Sequence, residues 1–87
     1  MAYRLEITPA AARDLVSLPH DARRRVDARI LTLAQDPRAE GTQKLAGSKN
    51  LFRARVGDYR VIYGVEHARL VILVVRIGHR REIYRKL

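Results

Sequence analysis

Leu51-Phe52-Arg53-Ala54-Arg55-Val56-Gly57-Asp58-Tyr59-Arg60-Val61-Ile62-Tyr63 is the stretch on which the reading of this chain turns. Two runs rich in β-branched and aromatic residues flank Gly57-Asp58, and glycine can take the positive φ that a type II′ turn needs at its first central position. The segment reads as a β-hairpin. A two-residue loop fixes the pairing by counting, so that Val56 faces Tyr59, Arg55 faces Arg60, Ala54 faces Val61 and Arg53 faces Ile62. Alternation along each strand then puts Phe52, Ala54, Val56, Tyr59 and Val61 on one face and Arg53, Arg55 and Arg60 on the other.

Like charges directly opposite one another destabilise a strand pair by about 0.2–1 kcal/mol, so folding alone gives no reason to set Arg55 against Arg60. A polyanion does. One such arginine is ordinary, its stem covering apolar surface while its head stays in water. Three on one face point to an anion-binding surface.

The charge balance points the same way. The 87 residues carry a net charge of +9. From Arg53 onward nine basic residues (53, 55, 60, 69, 76, 80, 81, 85 and 86) stand against Asp58, Glu66 and Glu82, which is +6 of that total; residues 9–36 hold five arginines against four aspartates, which is +1. The basic end is the strand-rich C-terminal part, where cationic residues alternate along strands instead of lining an amphipathic helix, so nucleic acid is a better partner than a membrane surface. There is no cysteine, no Cys/His cluster for zinc and no apolar run near the ~18 residues of a membrane span. With no signal-peptide pattern either, the expectation is a soluble cytoplasmic protein that folds as one domain over residues 1–87 without cofactor or metal.

Outside the hairpin, residues 2–7 alternate Tyr3, Leu5 and Ile7 with Arg4 and Glu6, a half-buried strand beginning at the Met1-Ala2-Tyr3-Arg4 terminus. Thr8 and Pro9 stand where an N-cap and first helical residue belong, and a stripe of Ala11 or Ala12, Leu15 and Leu18 runs to Pro19-His20. Asp21 is placed to cap a second helix with the stripe Ala22, Val26, Ile30 and Leu33, closed by Asp36-Pro37. Residues 37–50 read as a surface loop with one short turn near Lys44-Leu45. After a turn at His67-Ala68, the apolar run Leu70–Val75 reads as a central strand covered on both faces, and the tail leaves the sheet at Gly78 as a short helix or an extended arm. The order β-α-α-β-β-β implies an α+β fold, a helical hairpin packed on one face of a mainly antiparallel four-stranded sheet, with the arginine face left open.

Lys44-Leu45-Ala46-Gly47, Phe52-Arg53-Ala54-Arg55, Gly57-Asp58-Tyr59-Arg60-Val61-Ile62-Tyr63 and Val75-Arg76-Ile77-Gly78-His79-Arg80-Arg81-Glu82-Ile83-Tyr84 together resemble the RelE toxins of bacterial type II toxin-antitoxin systems, within the RelE/ParE superfamily. The resemblance covers nearly the whole chain, and its C-terminal part is the most specific. It implies an endoribonuclease that enters the ribosomal A site and cuts mRNA, the ribose 2′-OH attacking the adjacent phosphate without a metal, held in check by a cognate antitoxin protein. The family's paired basic residues fall on Arg53 and Arg55, its GxYR arginine on Arg60, its arginine after the last strand on Arg80 and its C-terminal tyrosine on Tyr84.

The best-known members have lysines where this chain has Arg53 and Arg55. Guanidinium groups stay protonated, so neither can serve as a base, although both can grip phosphate oxygens in bidentate geometry. The base then falls to Tyr84 or His79, with Arg53, Arg55, Arg60 and Arg80 stabilising charge. Each also has a plainer reading, a solvated histidine and a tyrosine packed on the sheet edge. Arg81, Arg85 and Lys86 are expected only to add to the field, and His20 and His67 carry no chemistry. Rival functions are a ParE-type gyrase inhibitor and a non-catalytic RNA- or ribosome-binding module.

Overall fold

The computed structural model describes residues 2–48 and 50–87. Met1, at the start of the expected first strand, and Lys49, inside the expected loop, lie outside the described residues. The elements are β1 (Arg4–Ile7), α1 (Pro9–Ser17), α2 (His20–Gln35), β2 (Thr42–Lys44), β3 (Leu51–Val56), β4 (Tyr59–Glu66), β5 (Val71–His79) and a single 3-10 turn at Ile83–Arg85. The strands form one sheet in the order β1-β5-β4-β3-β2, in which β1 runs parallel to β5 and every other neighbour is antiparallel.

The β3–β4 hairpin has the register that its two-residue loop requires: Val56 opposite Tyr59, Arg55 opposite Arg60, Ala54 opposite Val61 and Arg53 opposite Ile62. Gly57 has φ +58°, a value that costs an L-residue about 1–2 kcal/mol. A Cβ built there would also come within 2.6 Å of Nη2 of Arg25, a mobile side-chain end. Gly57→Ala is therefore expected to destabilise the domain by about 1–2 kcal/mol in thermal melts.

Phe52, Ala54, Val56, Val61 and Tyr63 from the hairpin meet Ala11 of α1, Val26, Ile30 and Leu33 of α2, and Ile72, Val74 and Ile77 of β5 in one core. The sheet face beneath the helices is thus the apolar face of the hairpin. Thr8 caps α1, its Oγ1 accepting from the Ala11 N–H at 3.0 Å, and Pro9 stands first in the helix. The second helix starts earlier than the sequence implies. Pro19, with ψ 149°, both breaks α1 and lends its carbonyl to the Arg23 N–H, so the N-cap is Pro19 and Asp21 lies inside the first turn without capping anything. There its charge still complements the helix dipole.

Three further differences concern the sheet. The expected loop over 37–50 contains β2, whose polar residues Thr42, Gln43 and Lys44 pair with Ala54, Arg53 and Phe52; this adds a fifth strand at the edge. β5 is interior, but its outer face is only partly covered, since Leu73 remains 37% exposed. The helices shield one face alone, and the tail shields the other only at the far end of the strand. Finally, the turn before β5 lacks glycine and Leu70 itself takes the left-handed conformation, φ +53°. The tail leaves the sheet after His79 and not at Gly78, and of the two expected forms it takes the short helix, a single 3-10 turn that buries Ile83 completely.

Candidate functional site

The outer sheet face carries the arginines. Arg55 and Arg60 oppose each other across β3 and β4, and Arg53 stands two residues along on the same face. The tail completes the group. Beyond β5 the chain turns back, the Arg80 N–H donating to the Asp58 carbonyl at 2.7 Å, and Ile83 packs where Gly78 leaves room. Gly78 is itself opposite Arg60. This return brings Tyr84 beside Arg53, where the two line a shallow cleft of about 420 Å³ with Gln43, Lys44, Leu45 and Ala46. Tyr84 is 47% exposed.

Arg60 is the centre of the cluster. Burial first, and then the neighbouring charges of Arg53, Arg55 and Arg80, hold its guanidinium pKa below the ordinary value, while Tyr84 acts in the opposite sense. The other four side chains therefore all lie within electrostatic reach of Arg60. The cations have only partial protein partners. Arg60 donates to the carbonyls of Gly57 and Tyr59, both at 2.9 Å, Arg53 donates to Gln43 Oε1, and Arg80 lies 3.7 Å from the exposed carboxylate of Asp58. An anion with several oxygens fits such a set, because guanidinium groups bind phosphate in planar, charge-assisted pairs.

His79 is not among them. It pairs with Tyr59 in the β4–β5 register and meets that ring edge-on at 5.7 Å, on the side where Tyr59 packs against the core. Its Nδ1 accepts from the Arg81 N–H at 3.2 Å, which places the proton of a neutral ring on Nε2. Of the six residues singled out in the sequence, Arg53, Arg55, Arg60, Arg80 and Tyr84 come together and His79 faces away. His67, given no partner above, shares a 2.8 Å hydrogen bond with the Tyr3 hydroxyl. Among the described residues, no three His, Asp or Glu side chains gather as metal ligands would.

Sequence reasoning missed Asp14. This α1 carboxylate is buried where β1 has ended and the edge of β5 is otherwise open. It accepts from Arg76 Nε at 2.9 Å and Nη2 at 3.0 Å, from the Ile77 N–H at 3.0 Å and from Lys86 Nζ at 3.1 Å. A signal was present, because Ala11, Asp14 and Leu18 are spaced i, i+3, i+7 on the buried side of the helix. Burial raises the carboxyl pKa, but the bonds from Arg76, the Ile77 amide and Lys86 outweigh it and the net shift is downward. A carboxyl depressed in the folded state contributes stability above its unfolded pKa of about 4 and loses it as pH falls through the folded value. Asp14→Asn is accordingly expected to be less stable than the parent at pH 7, with the gap narrowing as melts are repeated from pH 4 downward.

The comparisons agree with this architecture. Residues 5–84 match the family described as the ParE toxin of the type II toxin-antitoxin system, parDE. Toxin RelG of Mycobacterium tuberculosis is 32% identical over an alignment covering 99% of this chain and 100% of the relative. Among solved structures, a chain of the archaeal RelE–RelB complex from Pyrococcus horikoshii superposes with a TM-score of 0.80 at 35% identity, over 92% of this chain and 97% of that one. A chain of the RelBE2 toxin-antitoxin complex from Mycobacterium tuberculosis gives 0.82 at 27% identity, over 92% and 100%.

Proposed function

Since the chain belongs to the RelE/ParE superfamily of type II toxins and is of the RelE type, we propose that it is an endoribonuclease that cuts mRNA in the ribosomal A site. The observation that supports this reading is the gathering of Arg53, Arg55, Arg80 and Tyr84 around Arg60 on one open sheet face. Folding is not served by that much like charge in one place.

The reaction is attack of a ribose 2′-oxygen on the adjacent phosphorus. The P–O5′ bond breaks, leaving a 2′,3′-cyclic phosphate on one fragment and a 5′-hydroxyl on the other. Charge accumulates on the phosphoryl oxygens, where Arg53, Arg55 and Arg60 grip it. Arg80 stabilises the departing 5′-oxygen, which takes a proton from water to become the 5′-hydroxyl. Tyr84 is the one group of the cluster able to exchange a proton, and it takes the proton of the 2′-hydroxyl or stacks on a base of the message. The chain's partner in the resting cell is an antitoxin of the RelB type, and the +9 charge favours an acidic segment in it.

The test is induced expression with primer extension on a translated message. New 5′ ends inside the reading frame are expected, lost on Arg80→Ala or Tyr84→Phe with the fold retained; intact message and unaffected growth would refute the proposal. A second reading has one observation in its favour, the match to the ParE description. A gyrase inhibitor of this fold would block supercoiling by purified gyrase and leave the message whole.

A further inference from the structure

The expected role of Lys86 was to add to the positive field, but its ammonium is engaged. It donates to Asp14 Oδ1 at 3.1 Å and to the Ile77 carbonyl at 3.3 Å, and its stem lies over Gly78, within 3.6 Å of where a Cβ would stand. The carboxylate that receives it is fixed from two other directions, by the bidentate Arg76 and by the Ile77 amide. Asp14 is therefore a rigid post on α1 and β5, and Lys86 is the tail's charged link to it. Tyr84 sits two residues before Lys86 in the same turn and is exposed, so its position follows from what holds its neighbours. Besides the backbone bonds of the turn, the side chains that hold it are the buried Ile83 on one side of Tyr84 and Lys86 on the other.

We propose that Lys86 is a positioning residue, its ion pair with Asp14 holding the last turn so that Tyr84 stays beside Arg53 and Arg60. The inference rests on the reading of Tyr84 as part of the reacting site. Without the pair, the tail keeps Ile83 as an anchor but can swing about it, and fewer molecules at any moment have the phenol in place. A loss of that kind lowers the turnover number and leaves binding of the ribosome-bound message nearly unchanged, since the arginines that grip phosphate stay on the sheet.

The experiment compares the parent with Lys86→Met, which keeps an unbranched stem over Gly78 without the charge, and Lys86→Arg, which restores a cation. Two quantities are read, amide hydrogen exchange of residues 82–87 and cleavage of message on programmed ribosomes. Lys86→Met is expected to exchange at least tenfold faster in the tail and to lose about tenfold in kcat with little change in KM, and Lys86→Arg to recover most of both. Unchanged tail exchange in Lys86→Met overturns the tether. A raised KM at unchanged kcat overturns positioning in favour of direct contact with RNA. If the parent itself cuts no message, the functional reading fails, and the exchange data alone still decide whether Lys86 holds the tail.

Discussion

Replacing Arg60 with methionine is expected to lower the rate of message cleavage by about 10²- to 10³-fold, the usual cost of removing one fixed charge from where negative charge develops. Arg60 is the group around which Arg53, Arg55, Arg80 and Tyr84 are arranged, and burial already holds its pKa below the ordinary value. The variant gives up hydrogen bonds to the Gly57 and Tyr59 carbonyls, but it also removes the repulsion from Arg55 directly opposite. These contributions oppose each other, so stability should change by no more than about 1 kcal/mol. Arg55→Thr separates the two effects. The Arg55 side chain is exposed and makes no hydrogen bond among the described residues, and threonine suits a strand. This variant is expected to gain up to about 1 kcal/mol in chemical denaturation while cleaving more slowly. Arginines that served only to cover the sheet would give the reverse, lower stability and intact activity.

Tyr63→Ala is expected to cost about 3–5 kcal/mol, a large part of the 5–15 kcal/mol that holds an ordinary domain together. The ring is wholly buried in the middle of β4 and stacks on Phe52 at 5.7 Å with 26° between planes. Its hydroxyl donates to the Pro37 carbonyl at 2.6 Å, which ties the end of α2 to the sheet, and burial keeps the phenol protonated by raising its pKa. Tyr63→Phe removes only that bond and should cost about 1–2 kcal/mol. Urea denaturation at constant m distinguishes them. Equal losses in the two variants would mean that the ring contributes little and the hydroxyl nearly everything.

The hairpin was legible because a two-residue loop leaves one possible register and alternation then assigns every side chain to a face. His79 shows where such counting stops. Its face depends on the β4–β5 pairing, which follows a turn closed by Leu70 at φ +53° and a register shift at Ile62/Tyr63. Neither leaves a mark in composition or periodicity. β2 was hidden for another reason, since three polar residues at a sheet edge have no pattern of their own and become a strand only by pairing with β3. Asp14 and Lys86 lie 72 residues apart, and no local rule connects them. The apolar stripe of α1 shows that a carboxylate is buried at position 14 without showing what neutralises it.

The most direct test of the claim that these guanidinium groups grip a breaking ribose-phosphate link uses purified protein and ribosomes programmed with a message carrying a single 2′-deoxy nucleotide at the cut position. The account predicts rapid cleavage of the all-ribose message to fragments ending in 2′,3′-cyclic phosphate, and none at the deoxy position. Cleavage that proceeds equally well without that 2′-hydroxyl, or an all-ribose message left whole, would contradict it.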